Sequence, residues 1–151
     1  SDQRCRCGQL GCADLTAAGR GIIDALGPRG STITKPQDIV ALVNQGDSEV
    51  IELVRRSGTR LGNLIGDVIA TLNPQFVVVG GELAYDNPLL LEQIREVALS
   101  RVHPLAAQSV QIVESAMKAD AGLAGAAHLA LREVIDPAAV DAAIERGVVL
   151  A

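Results

Sequence analysis

The chain has 151 residues, a net charge of −5 and a hydrophobic content of 48%. This length suits one domain, or one lobe of a larger domain, with a sizeable core. One Phe, one Tyr and no Trp leave almost no surface for stacking bases or sugar rings, and the lack of a basic run argues against direct nucleic-acid binding. The sequence shows no signal-peptide pattern and no apolar stretch of about 18 residues, so we expect no membrane span.

All three cysteines lie within eight residues near the start of the chain, in the spacing C-x-C-G-x-x-G-C. Two glycines stand between Cys7 and Cys12, where the chain must fold back if the three sulfurs are to converge. Three thiolates around one point suit a soft tetrahedral metal, and zinc fits best. We therefore predict that Cys5, Cys7 and Cys12 are zinc ligands in a reducing, cytoplasmic compartment.

Two other interpretations of the cysteines are weaker than a metal site. An odd number of cysteines and the close spacing of Cys5 and Cys7 fit disulfide bonding poorly. Three unconnected core thiols are the plainer alternative, because free cysteine is often buried. A closed zinc site also needs a fourth ligand, and His103 and His128, the only histidines, lie far downstream and receive no role.

Helical periodicity and breaker residues predict the order α-α-α-β-α-β-α-α. Asp14 is a candidate N-cap for the first helix, and Asn73-Pro74 should end the long third helix. The apolar run at residues 76–79, a phenylalanine and three β-branched valines, predicts a strand that is buried on both faces. The predicted helices cover residues 15–26, 36–43, 48–72, 88–101, 119–134 and 138–146, and the predicted strands cover residues 76–79 and 110–114.

Three glycines, Gly58, Gly62 and Gly66, recur every four residues along one face of the long helix. Each costs about 1 kcal/mol of helix propensity relative to Ala. We expect this face to allow close approach of another helix or a ligand, and it is also a candidate homodimer interface.

Three segments resemble the ROK family of repressors, open reading frames and sugar kinases. They are residues 5–14 with the cysteine motif, residues 73–81 (NPQFVVVGG) and residues 119–127 (ADAGLAGAA). The resemblance implies an α/β, actin-like ATPase (ribonuclease H-like) fold, of which this chain is part of the C-terminal lobe. Within residues 1–151 we then expect a zinc-binding loop at 1–14, an α/β lobe at 15–135 and a helical tail at 136–151.

The resemblance also implies roles for single residues. Cys5, Cys7 and Cys12 match the structural zinc cysteines of the family, whose fourth ligand is a histidine upstream of them. Asp14 stands where the family usually has a sugar-binding glutamate, so it is a candidate sugar ligand as well as a helix cap. Gly80 and Gly81 match the glycines on the nucleotide side, although such a pair also ends many ordinary strands. Because the family's phosphate loop and catalytic base belong to segments outside this chain, we assign no catalytic residue and expect a fragment.

Two functions follow from this resemblance. The first is the sugar or sugar-phosphate effector part of a transcriptional regulator that contacts DNA only through a separate N-terminal domain. The second is the C-terminal lobe of an ATP-dependent, glucokinase-like sugar kinase, which would also need ATP and Mg²⁺. Asp14 in place of glutamate, Glu82 directly after the glycines and the helical tail favour the regulator. In either case we expect a homo-oligomer, most simply a dimer.

Overall fold

The structure is a computed structural model and describes residues 4–146. The chain divides into two compact units, residues 1–116 and residues 117–151. None of the described helices combines the length and apolar character needed to cross a bilayer. In the described residues the elements are α1 (Asp14–Ala17), α2 (Gly19–Ala25), a 3₁₀ helix (Gly27–Thr32), α3 (Pro36–Asn44), α4 (Ser48–Leu72), β1 (Phe76–Val79), α5 (Pro88–Ser100), α6 (Pro104–Ser109), β2 (Gln111–Glu114), a 3₁₀ turn (Lys118–Asp120), α7 (Ala121–Ile135) and α8 (Pro137–Glu145).

The long helix α4 is the central helix of the first unit, and both of its predicted ends are confirmed. Asp47 caps its first turn, where the Oδ1 atom accepts a hydrogen bond from the Val50 N–H at 3.1 Å. Asn73 ends the helix in the left-handed conformation with φ 44°, a state that Asn tolerates better than most residues. Pro74 follows directly and prevents the helix from continuing.

The glycine face of α4 is covered by helix α5. A Cβ atom on Gly62 would lie 2.7 Å from Val97 Cβ, and one on Gly58 would lie 2.7 Å from Gln93 Cβ. The glycines are therefore required for the close approach of the two helices. The expected approach of another helix is confirmed, and because α5 occupies this face, a dimer would have to use a different surface.

The sheet has two parallel strands in the described part of the chain, with Phe76 opposite Gln111 and Val79 opposite Glu114. The predicted burial of β1 on both faces is wrong. Val77 and Val79 are half-buried, but Phe76 is 58% exposed and Val78 is 62% exposed. A run of β-branched residues indicates a strand, but it does not indicate whether other elements pack on one face of that strand or on both.

The core of the first unit lies between the long helix, its partner helix and the inner face of the sheet. Ile69, Ile94 and Val54 have no exposed surface at all. The remaining buried core residues include Ile22, Leu26, Ile33, Ile39, Val50, Leu83, Ala84, Leu90, Ala98, Val110 and Ile112.

Two local predictions need correction. The helix predicted over residues 15–26 is broken at Ala18, which is extended with φ −89° and ψ 165°. The break lets α2 fold back on α1 so closely that a Cβ on Gly21 would lie 2.4 Å from the Leu15 carbonyl oxygen. The helix α6 was also not predicted; its N-cap is His103, whose Nδ1 atom accepts a hydrogen bond from the Leu105 N–H at 3.3 Å.

The second unit contains helices α7 and α8. Asp136 caps α8, with its Oδ1 atom accepting a hydrogen bond from the Ala138 N–H at 3.0 Å. No described residue of either helix is buried, and His128 is exposed on α7. Both helices match the predicted ones to within two residues at each end that the structure describes.

Candidate metal and sugar site

The three cysteine sulfurs lie together, all within 4.8 Å of one another. The Sγ atoms of Cys7 and Cys12 are 3.3 Å apart, and all three cysteines are free thiols. Zinc with three thiolates at about 2.3 Å separates neighbouring sulfurs by about 3.8 Å. A spacing of 3.3 Å for one pair and at most 4.8 Å for the others is compatible with this value, so the donor set fits zinc.

A short hairpin gives the loop its shape. Arg4 and Leu10 form an isolated antiparallel bridge, and the Cys5 N–H donates to the Gln9 carbonyl at 2.8 Å. Gly8 and Gly11 have φ angles of +90° and +67°, which residues with a side chain rarely adopt. The two glycines of the motif therefore turn the chain so that Cys7 and Cys12 face each other.

The three thiols differ in exposure and in acidity. Cys5 is buried, Cys12 is half-buried and Cys7 is exposed. A hydrogen bond from the Gln9 backbone, together with the neighbouring Cys12 and Cys5 thiols, lowers the pKa of Cys7. Hydrogen bonding to Cys7 and Cys5 raises the pKa of Cys12 to about 12. A divalent cation in the loop would favour deprotonation of all the thiols that coordinate it.

The fourth ligand of a closed site is not found near the sulfurs. Within the described part of the first unit, no histidine, aspartate or glutamate joins the three cysteines. The imidazole of His103 accepts a hydrogen bond from the Leu105 N–H at the start of α6. The described residues of this unit could thus supply three ligands to a metal ion.

Asp14 follows the cysteine loop directly and lies exposed at the first position of α1. The cap position is occupied by Ala13, and no side chain caps the helix. The predicted N-cap role of Asp14 is therefore wrong, and its carboxylate is not committed to capping the helix.

The carbonyl groups of α1 are held by α4, and this contact positions the loop. The Ser57 hydroxyl, which is fully buried, donates to the Ala17 carbonyl. Arg60 Nη1 donates to the Thr16 carbonyl at 2.9 Å. Sequence reasoning missed both residues, because a serine and an arginine within a helix carry no signal of a contact some 40 residues away.

Gly80 and Gly81 form the turn after β1. Gly81 has φ +107°, and a Cβ atom there would meet no described atom within 4 Å. The turn continues into Asn87, which is 1% exposed and accepts a hydrogen bond from the Leu90 N–H at 3.3 Å while donating to the Leu83 carbonyl at 3.0 Å. The sequence pair Asn87-Pro88 could have revealed this cap, because Asn at the N-cap followed by Pro is a common helix start.

One cleft of about 520 Å³ brings these predicted residues together. Asp14 lies along it with the Gly80–Gly81 turn, and Glu82 and Arg20 add two further charged side chains. Its volume falls within the range of roughly 300–1,000 Å³ that is typical of small-molecule sites. The other lining residues are Ala13, Ala17, Ala18, Gly19, Pro36, Leu61, Val79, Leu83, Ala84 and Leu90.

These features together define a class of protein. It has a helix-rich α/β lobe with a small parallel sheet, a three-cysteine loop and a cleft at the end of a strand. The ROK family model matches residues 1–133. This chain belongs to the ROK family, and its fold is the actin-like ATPase fold of that family.

The relatives include both regulators and kinases. A xylose repressor of Bacillus spizizenii is 25% identical over 133 residues, which are 88% of this chain and 34% of that protein. An N-acetylmannosamine kinase of Escherichia coli is 38% identical over 130 residues, which are 85% of this chain and 43% of the kinase. A solved ROK family transcriptional regulator, a homologue of the E. coli MLC protein, has a TM-score of 0.62 and 26% identity, with 76% of this chain and 31% of that one covered. The chain thus spans less than half the length of these relatives.

Proposed function

We propose that this chain forms the sugar-binding part of a ROK transcriptional regulator, with a sugar or sugar phosphate as its effector. The observation that carries the proposal is the shared cleft of Asp14 and the Gly80–Gly81 turn. An aspartate accepts hydrogen bonds from two donors, which suits the hydroxyl groups of a sugar. Binding there would change DNA affinity if the sugar prefers one conformation of the protein.

Glu82 favours a regulator over a kinase. Its exposed side chain lies along the same cleft, directly after the two glycines. A carboxylate in that position would repel the phosphates of a nucleotide approaching the turn. A kinase needs instead a phosphate loop, Mg²⁺ and a base, and we assign none of these to residues of this chain.

Helix α8 is consistent with the same proposal. The family match ends at residue 133, and α8 extends from Pro137 to Glu145. The net charge of −5 disfavours DNA binding by these residues themselves. DNA contact would therefore depend on another domain of the protein.

An ATP-dependent sugar kinase is the second candidate. The observation in its favour is identity, which is 38% with the N-acetylmannosamine kinase and 25% with the xylose repressor. In that case ATP and Mg²⁺ would be needed, and the cleft would hold the acceptor sugar beside the nucleotide.

The two candidates are separated by measuring ATP turnover and DNA affinity on the protein at its native length. Glucose, N-acetylmannosamine, xylose and their 6- or 5-phosphates serve as ligands. We expect at least one of them to bind and to change DNA affinity, with no release of ADP. Sugar-dependent ADP release would establish the kinase, and the absence of any sugar binding would contradict both.

We also propose that Cys5, Cys7 and Cys12 hold a structural zinc ion. Zinc would fix the loop that leads into Asp14, as a Lewis acid bound to thiolates and without taking part in a reaction. Elemental analysis should find one zinc per protein in the parental chain and none in Cys12→Ser. The Ser109→Ala variant is a matched control, because its exposed hydroxyl contacts only the Ala106 carbonyl. Equal zinc content in all three proteins would contradict the proposal.

The expected dimer and the reducing, cytoplasmic location remain proposals. The three free thiols support the location, and light scattering at native length measures the mass of the oligomer. Since α5 covers the glycine face of α4, a Gly62 variant should not change the oligomeric state except by unfolding the chain.

A further inference from the structure

We infer, on the basis of the proposed sugar-binding function, that Glu82 is a specificity-determining residue of the cleft. Its carboxylate favours a sugar that carries a cationic amino group and disfavours a phosphorylated sugar. The evidence is the set of polar side chains along the cleft, the pairing of its one arginine and the position of Glu82 after the glycine turn.

Among the described residues, three polar side chains line the cleft. They belong to Asp14, Arg20 and Glu82, and every other lining residue is an alanine, glycine, proline, leucine or valine. A carboxylate accepts hydrogen bonds and donates none, so two of the three side chains favour ligand groups that donate. Hydroxyl and ammonium groups donate hydrogen bonds, whereas the phosphate of a sugar phosphate brings negative charge and further acceptor oxygens.

The arginine along the cleft is already paired with a residue outside it. The Arg20 Nε atom lies 2.9 Å from the Asp24 Oδ1 atom, and Asp24 does not line the cleft. Asp24 therefore offsets the charge of Arg20. The carboxylates of Asp14 and Glu82 have no hydrogen-bond or ion-pair partner within the part of the chain that the structure describes. Negative charge thus predominates along the cleft.

The position of Glu82 places its charge where a phosphate would otherwise be held. The Gly80–Gly81 turn is open, since Gly81 has φ +107° and a Cβ atom there would meet no described atom within 4 Å. Glycine turns of this kind can present backbone N–H groups to an anion. Because Glu82 follows the turn directly, its carboxylate repels a phosphate at that place and attracts a cationic group.

The walls of the cleft strengthen this charge effect, and solvent limits it. Leu83 and Leu90, which are 8% and 1% exposed, lie along the cleft with Val79. Apolar walls lower the effective dielectric constant, so charges interact more strongly there than in bulk water. The Glu82 side chain itself is exposed, so solvent screens part of the interaction. We therefore expect selectivity of about tenfold and not complete exclusion of phosphates.

Calorimetry on the protein at native length measures this selectivity. Glucose, N-acetylmannosamine and xylose are each tested as the neutral sugar, as the 6- or 5-phosphate and as the 2-amino-2-deoxy sugar. The measurements are made at about pH 6.5, where an amine with a pKa of about 7.7–8.0 is protonated. For the sugar that binds, we expect the amino form to bind at least about tenfold more tightly than the phosphate.

The ratio of these two affinities is then compared among variants. Glu82→Gln removes the charge and keeps the size of the side chain, and it should reduce the ratio by about threefold to fivefold. Glu96→Gln is the matched control and should leave the ratio unchanged, because Glu96 is exposed on α5 and does not line the cleft.

Two kinds of failure are distinguishable in these measurements. If the phosphate binds as tightly as the amino form, or if the ratio is the same in Glu82→Gln and the parental protein, the role of Glu82 is overturned while sugar binding stands. If no form of any of the three sugars binds, the proposed sugar-binding function fails, and the role of Glu82 fails with it.

Discussion

The helix pair α4–α5 and the cysteine loop are held together by different interactions. The helix pair is closed by apolar contact: Ile69 and Ile94 are completely buried, and the glycine face of α4 lies against α5. The loop is mostly exposed, and a few backbone hydrogen bonds and three thiols give it its shape. We infer that the helix pair provides most of the folding stability of this unit. The loop and its cleft contribute little to folding stability and would instead determine ligand specificity.

Truncating the buried centre of the helix pair should have the largest effect on stability. Ile94→Ala removes a fully buried side chain, and such changes cost about 2–5 kcal/mol through lost burial and the cavity left behind. Urea denaturation measures this loss. Leu105→Ala, at a position 71% exposed, is the control and should change stability by less than about 0.5 kcal/mol. Equal effects of the two variants would show that α5 is not part of the core.

Adding a methyl group to the glycine face should have the next largest effect. In Gly62→Ala the new Cβ would lie 2.7 Å from Val97 Cβ and 3.0 Å from the Ile94 carbonyl oxygen, and overpacking of this kind costs about 1–3 kcal/mol.

The control is the same substitution at an open position. In Gly125→Ala the new Cβ meets no described atom within 4 Å, and the helix gains up to about 1 kcal/mol of propensity. Thermal denaturation should therefore shift in opposite directions for the two variants. A stabilising Gly62→Ala would contradict the close contact of the helices.

The charge at the start of α4 should have the smallest effect, and it should depend on pH. A hydrogen bond from the Val50 N–H and the Arg29 guanidinium lower the pKa of Asp47. A carboxyl group with a lowered pKa contributes stability above its ordinary pKa of about 3.9, and this contribution is lost as the pH falls through the lowered value.

Asp47→Asn tests this contribution, because asparagine is also a good N-cap and only the charge is removed. We expect the variant to be less stable than the parental chain at pH 7 and the gap to narrow below about pH 4. If urea denaturation gives the same stability difference between the two proteins at pH 7 and below about pH 4, the Arg29 contact contributes nothing to stability.

The same contrast separates what the sequence could predict from what it could not. The bounds of α4, the position of β1 and the second strand follow from caps, Pro74 and β-branched residues, all of which act locally. The convergence of the three sulfurs was also predictable, since Gly8 and Gly11 lie inside the motif that carries them.

The errors arise where distant residues decide the local structure. The break at Ala18 depends on how closely α2 folds back on α1, and the cap position of α1 falls on Ala13 rather than on Asp14. The exposure of Phe76 and Val78 depends on which layers cover the sheet. None of these contacts leaves a periodic or capping pattern near the residue that it affects.

Sugar affinity in Asp14→Asn is the measurement that tests the central claim most directly, because it asks whether the residue beside the cysteine loop binds the ligand of the cleft. Asp67→Asn is the matched control, since Asp67 is exposed and forms a surface ion pair with Arg101 at 3.0 Å, and neither residue lines that cleft. With the protein at native length, calorimetry should show at least about a tenfold loss of affinity, or about 1.4 kcal/mol, for Asp14→Asn, and little change for Asp67→Asn. Unchanged affinity in Asp14→Asn would contradict the assignment of this cleft as the sugar site.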